Sequence, residues 1–304
     1  MAAARTTLLP DEVRERIARL EITASTLVEG LIAGMHKSPY HGFSVEFAQH
    51  REYTWGDELK HVDWKVFART DRFYVKQYEE ETNLQANVLL DCSESMLYRG
   101  QRSQGSKYEY GAMLAAALGF VLLRQQDAIG LVLFDEAVRQ RIPASAHPAQ
   151  LRNLTELMSK VEVRGESGKP AALHHVAEEL RRRGMVVLVS DLLFPRDVLR
   201  EGLRHLRHRR HEVVVLHTID PDELTFPFQD QTRFEGLETW PALTSDPRSL
   251  RDAYLQELRA FLAEVEGICQ EVKADYLRVD TSTPPQVLIT RWLRARERRR
   301  GRRG

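Results

Sequence analysis

Cysteine is nearly missing from this chain: 304 residues hold two, Cys92 and Cys269. Neither has a C-x-x-C neighbour or a histidine at ligand spacing, which excludes a disulfide framework and a thiolate zinc site. Long apolar runs are missing too. The longest, around Met113–Leu123, is broken by Gly119 and falls short of a membrane span, so it reads as a buried helix. The opening Met1–Pro10 has neither the basic region nor the apolar stretch of a secretory leader, and the expected compartment is the cytosol. Net charge is also missing, with 44 basic residues against 44 acidic ones. The balance is uneven, however. Residues 291–304 carry eight arginines against Glu297, so the rest of the chain is correspondingly acidic. Such a tail can meet RNA, anionic lipid or an acidic protein surface. No aromatic-rich basic face accompanies it, and it reads first as a solvated extension of the last helix.

What the chain does have is 42% apolar and 29% charged residues, the make-up of a folded globular protein with one large or two modest domains. From Leu84 onward, strand and helix signals alternate. Strands are expected at Leu84–Leu90, Ala128–Phe134, Met185–Ser190, Glu212–His217 and Tyr276–Val279. Helices are expected at Tyr108–Gln125, Pro148–Val161, Ala171–Arg183, Pro195–Arg207, Asp246–Val272 and Pro284–Arg299. This order predicts an α/β fold: a doubly wound, mostly parallel sheet with helices on both faces. Val138–Ile142 follows Phe134 too closely for a crossover and predicts an antiparallel hairpin partner. Ahead of this domain (84–290), residues 1–83 form an N-terminal helix over Asp11–Gly34 and a small aromatic-rich α+β segment. That segment has strands at Phe43–Phe47 and Phe73–Tyr78 and a helix at Glu58–Ala68. Asp57 is placed to cap the helix, Asp63 to pair with Arg69 or Arg51, and Trp64 to pack under the sheet.

The chemistry concentrates at strand ends. Asp91-Cys92-Ser93-Glu94-Ser95 follows the apolar run Leu84–Leu90, so its polar side chains fall at the carboxyl end of a buried strand, where open α/β sheets bind ligands. One carboxylate and two hydroxyls at alternate positions are hard oxygen donors, suited to Mg²⁺ or Mn²⁺. Met185–Asp191 repeats the arrangement and ends in Ser190-Asp191. Between the two lies a polar, glycine-flanked loop, Arg164–Gly168, with Ser167 as a further hydroxyl.

Together these positions resemble the metal-ion-dependent adhesion site of the von Willebrand factor A domain, a doubly wound fold. That family uses D-x-S-x-S, then a threonine on a later loop, then an aspartate at another strand end. The resemblance implies a metal site of Asp91, Ser93, Ser95, Ser167 and Asp191, with Ser167 in the threonine's place. The ordered string Gly42–Phe47, Arg51–Tyr53, Gly56-Asp57, Val62–Trp64, Ala68-Arg69 and Val75–Glu79 is narrower still. It resembles the bacterial family called domain of unknown function 58, whose members carry this segment fused to a von Willebrand A-like domain. Such proteins are typically encoded beside MoxR-type AAA+ ATPases, and the resemblance implies a partner of that kind.

Competing signals are weaker. Gly165–Pro170 imitates the end of a P-loop, but Val163 stands where glycine is required and Pro170 where serine or threonine is required. Ser93 stands where dehalogenase-type phosphatases place their second acid, and a serine hydroxyl cannot supply that proton transfer near neutral pH. His205, His208 and His211 sit among arginines and read as a basic face, and His174-His175 as an ordinary helix surface. The reading is a non-enzymatic, divalent-metal-dependent protein-interaction module whose cation accepts a partner's Asp or Glu. Its alternatives are a Mg²⁺-dependent phosphotransfer enzyme and an adaptor with a vestigial site.

Overall fold

The computed structural model describes residues 15, 18–21, 44–52, 64–70, 72–81, 84–164, 171–180, 182–235, 243–285 and 287–290. Its centre is a six-stranded sheet built from β3 (Gln85–Asp91), β4 (Ala128–Phe134), β5 (Val138–Ser145), β6 (Met185–Ser190), β7 (Glu212–Ile219) and β10 (Asp275–Asp280), in the order β10-β7-β6-β3-β4-β5. All neighbours run parallel except β4 and β5, so β5 is the expected antiparallel edge. The chain leaves β3 toward β4 on one side and returns to β6 on the other. The crevice between the ends of β3 and β6 is therefore the sheet's topological switch point.

The strands are apolar on both faces because helices cover both. Ala86, Val88 and Leu90 of β3 join Met185, Val187 and Val189 of β6 in one core, against α2 (Lys107–Arg124) and α3 (Gln150–Lys160). The alternate residues Leu89, Val186 and Leu188 enter a second core. It is shared with α4 (Ala171–Glu179), α5 (Arg196–His208) and α7 (Pro247–Glu271). Helix α2 starts at a capping box, in which Ser106 and Glu109 each bond the other's backbone N–H. It lies so close to the sheet that a Cβ on Gly111 would stand 2.8 Å from Leu90 Cδ1 and 3.0 Å from Val189 Cγ1. This tight seat fixes where α2 begins, immediately beside the end of β3.

Ahead of the sheet, β1 (Ser44–Glu52) and β2 (Tyr74–Glu81) pair antiparallel and flank α1 (Trp64–Thr70). The packing expected of Trp64 is corrected here. Its side chain is 57% exposed and meets Phe67 and Phe73 edge-on, while those two rings stack at 4.4 Å. Three aromatics from one short turn shelter each other, which removes the need for a seat under the sheet. Asp57, Asp63, most of the expected Asp11–Gly34 helix and the tail 291–304 lie outside the described residues. Of that helix, residues 18–21 are helical; Leu20 packs on the first core, and Glu21 accepts a 3.3 Å bond from Thr155 Oγ1. A short turn helix, α6 (Pro221–Thr225), and a small hairpin, β8 (Thr232–Phe234) with β9 (Leu243–Ser245), follow β7. Among the described residues no helix is long and apolar enough to cross a membrane.

Candidate metal centre

Each of the five parallel strands runs out at an aspartate: Asp91, Asp135, Asp191, Asp220 and Asp280. Each bends the chain in the same way. Its Oδ1 accepts the backbone N–H two residues on, from Ser93 (2.9 Å), Ala137 (3.1 Å), Leu193 (3.4 Å), Asp222 (2.9 Å) and Ser282 (2.8 Å). This is the Asx-turn, a local reason for aspartate at a strand end. A strand-end aspartate is therefore no evidence of a site by itself. Its second oxygen distinguishes one from another.

At Asp135 the second oxygen pairs with Arg139, and at Asp220 it gathers Gly100 N (2.8 Å) with the hydroxyls of Ser103 and Thr281 (3.3 Å to Thr281). These are structural ties. At the switch point, Asp91 Oδ2 accepts 2.6 Å from Ser190 Oγ, whose oxygen in turn accepts Leu192 N. Asp191 Oδ2 accepts 2.7 Å from Lys107 Nζ. The ends of β3 and β6 are thus bound through Ser190, and α2 is bound to the end of β6 through Lys107.

Ser93 caps the 3-10 turn Glu94–Leu97, and Met96 N closes it on Ser93 O at 3.1 Å. The turn brings Ser95 back beside Ser93, with their hydroxyl oxygens 3.1 Å apart and both side chains buried. Adjacent oxygens of a Mg²⁺ octahedron, each about 2.1 Å from the ion, stand about 3.0 Å apart. The serine pair fits such an ion. No group of three or more Asp, Glu, His or Cys side chains suited to a metal exists among the described residues, so a cation here would depend on the hydroxyls. Cys92, between them, points the other way. Its thiol donates to Phe134 O at 3.2 Å, and burial, with Asp91 and Asp135 nearby, pushes its pKa up to about 12, so it stays protonated and is no ligand.

Burial, and next the negative charge of Asp191, push Asp91 up to about 7, against the hydrogen bonds from Ser190 and Ser93 that favour its ionised form. Positive charge is what this carboxylate lacks. Lys107 delivers its ammonium to Asp191 and also, at 2.9 Å, to Glu223 at the start of α6. Burial pulls the lysine pKa down, but Asp191 and Glu223 outweigh it and hold the group charged. The reverse holds for His217, where burial lowers the pKa to about 4 and leaves a neutral ring. Its Nε2 lies 2.9 Å from the acceptor-only Asp191 O, so Nε2 carries the proton and Nδ1 accepts from Tyr276 Oη, also at 2.9 Å.

The structure therefore brings Asp91, Ser93 and Ser95 together as the sequence suggested, with Asp191 on the adjoining strand end. Ser167 lies outside the described residues; the loop that leads to it is tied to the motif by Arg164 N, which donates 3.1 Å to Cys92 O. Lys107 and Glu223 escaped the sequence reading. Lys107 left a signal, since a lone lysine at the first position of an apolar helix opposes the helix dipole. Glu223 left a second, as the third residue of the capping box that Asp220 opens.

A family described as "Protein of unknown function DUF58" matches residues 49–262. Uncharacterized proteins of Mycobacterium tuberculosis and Mycobacterium bovis are each 27% identical over 286 residues, covering 92% of this chain and 88% of their own. Among solved structures, an aerotolerance-related membrane protein from Bacteroides fragilis is 18% identical (TM-score 0.47), over 70% of this chain and 99% of that one. BatB from Bacteroides thetaiotaomicron is 19% identical (TM-score 0.45), over 68% and 96%. What establishes the fold is the strand order itself.

Proposed function

The chain belongs to the DUF58 family and carries a von Willebrand factor A-like fold, and from that premise we propose that it is a protein-interaction module assisted by a divalent cation. Ser93 and Ser95 hold the ion, Asp91 lies behind them, and Asp191 contributes from the neighbouring strand end. The carrying observation is the 3.1 Å separation of the two hydroxyl oxygens at the switch point. Mg²⁺ or Mn²⁺ bound there supplies an under-neutralised positive charge that takes a carboxylate oxygen from a partner. The chain's own residues set the terms of that exchange. Ser190 and the Ser93 backbone orient Asp91, and the turn at 94–97 holds the hydroxyls together. The partner is a protein that presents Asp or Glu, and the family resemblance favours a MoxR-type AAA+ ATPase. We assign no hydrolysis to the site, because no second acid stands two residues after Asp91.

Mn²⁺ titration by calorimetry, with electron paramagnetic resonance of the bound ion, tests the site. The Asp91→Ala, Ser93→Ala double variant should lose the signal, and a signal that persists undiminished sinks the assignment. Capture of a MoxR-type ATPase in Mg²⁺ but not in EDTA tests the partner. Equal capture in both would favour an adaptor without a working metal site.

A further inference from the structure

Lys107 is the least expected residue at this rim. Its side chain is 1% exposed, and it occupies the first turn of α2, where the helix dipole disfavours a cation. Burial disfavours an ammonium strongly before any partner is counted. An apolar residue of similar length would hold α2 in place as well or better. What only a cation can do there is take up the charge of Asp191. It has two places to put its own charge: Asp191 Oδ2 at 2.7 Å and Glu223 Oε1 at 2.9 Å, with the face of Tyr98 5.9 Å away. Glu223 is anchored independently, because its other oxygen accepts Asp220 N at 2.7 Å.

We infer that Lys107 sets how tightly the rim holds a divalent cation, by claiming the Asp191 carboxylate for itself. While the ion pair is closed, Asp191 is neutralised and the site offers a cation little more than two hydroxyls and Asp91. When a cation and a partner's carboxylate arrive together, Asp191 turns its charge to the cation. Lys107 keeps Glu223, so no buried charge is left alone. Glu223 makes the rearrangement a transfer between two acceptors rather than the breaking of a lone pair. The isolated protein is held in a weak-binding state until a partner's carboxylate and the cation together draw Asp191 away from Lys107. This inference rests on the metal reading proposed above.

The test is Mn²⁺ binding by calorimetry and electron paramagnetic resonance on the full chain. The Lys107→Met, Glu223→Gln double variant removes the cation and one of its two anions, so that folding does not have to tolerate two bare carboxylates. We expect binding at least tenfold tighter than in the unaltered protein, with the gain abolished by adding Asp191→Asn. Unchanged or weaker binding in a folded double variant, alongside wild-type binding that needs Asp91 and Ser93, overturns the role of Lys107 and leaves the metal site standing. No binding in any variant overturns both. Should the double variant fail to fold, the lysine side-chain amine of the unaltered protein gives the answer by nuclear magnetic resonance. A Lys107 signal that moves on saturation with Mg²⁺ and acetate together supports the transfer, and one that stays put overturns it.

Discussion

The two ends of the central sheet are finished with different materials. At the amino ends the main chain closes on itself: Ala128 N bonds Leu84 O, Glu212 N bonds Gly184 O and Ala274 N bonds Cys269 O, all at 2.8–2.9 Å. One buried carboxylate, Asp127, stands there and takes Leu84 N at 2.8 Å. At the carboxyl ends five aspartates, two serine hydroxyls and a buried lysine do the joining. Backbone closure needs only a particular geometry, whereas side-chain closure concentrates charge that costs free energy to bury. The amino end is thus built for stability, and the carboxyl end carries groups whose cost makes sense if they meet a ligand.

Four variants would break or sharpen that contrast. The largest effect is expected at the amino end, from Gly184→Ala. The new Cβ would stand 2.2 Å from Gln85 O and 3.2 Å from Gln85 C, main-chain atoms of β3 with little freedom to yield. A loss of about 3 kcal/mol in urea unfolding is expected; a loss near zero would mean that this end is looser than its closure implies. Next is Asp220→Ala, at the carboxyl end but outside the proposed metal centre. It strands the Gly100 N–H and the Ser103 and Thr281 hydroxyls and should cost about 2 kcal/mol, with Mn²⁺ binding retained. Loss of binding together with stability would show that the whole rim acts as one unit.

The Ser93→Ala, Ser95→Ala pair should show the opposite pattern. Stability falls by about 1 kcal/mol, the order of one hydrogen bond, while the Mn²⁺ signal disappears. The smallest effect is expected from Asp127→Asn, read as a function of pH. Burial raises Asp127 from 3.8 to about 6 in the folded state, partly opposed by the Leu84 N–H. A raised folded pKa means that this group's stabilising contribution is complete below about pH 4 and is lost as pH climbs through 6. The stability of the unaltered protein minus that of the variant should therefore fall between pH 4 and pH 7. A flat difference would remove Asp127 from the contrast.

Much of the fold was legible because parallel strands covered on both faces leave unbroken apolar runs. Ala128–Phe134 and Met185–Ser190 have the bounds that the sequence suggests, and β7 and β10 differ from theirs by one or two residues. Helix α4 ends at Glu179 rather than Arg183, since nothing in Arg181–Arg183 gives a face to bury. The hairpin of β8 and β9 went unread: three-residue strands are too short to show a period. At the site, Asp91, Ser93, Ser95 and Asp191 were legible because a motif lies along the chain. Lys107 and Glu223 were not, because their meeting depends on the distance between α2 and α6, which no local pattern records. Trp64 was misread for a related reason. A large aromatic suggests a core, but two neighbouring rings met part of that need.

The flanks of the sheet have a consequence for self-association. β5 presents Arg139, Gln140, Arg141 and Pro143 to solvent, and its register with β4 slips between Ile129 and Leu131. Gln150 fills the slip by donating 2.8 Å to both Ile129 O and Pro143 O. Pro143 offers no N–H to an incoming strand, and Arg139 and Arg141, tied to Asp135 and Glu179, put charged groups along the edge that an added strand would have to cover. On the opposite flank, β10 carries Asp275, Arg278 and Asp280 among its six residues. Neither flank is a template for adding a strand, so fibre-like stacking through this sheet is disfavoured even at high concentration.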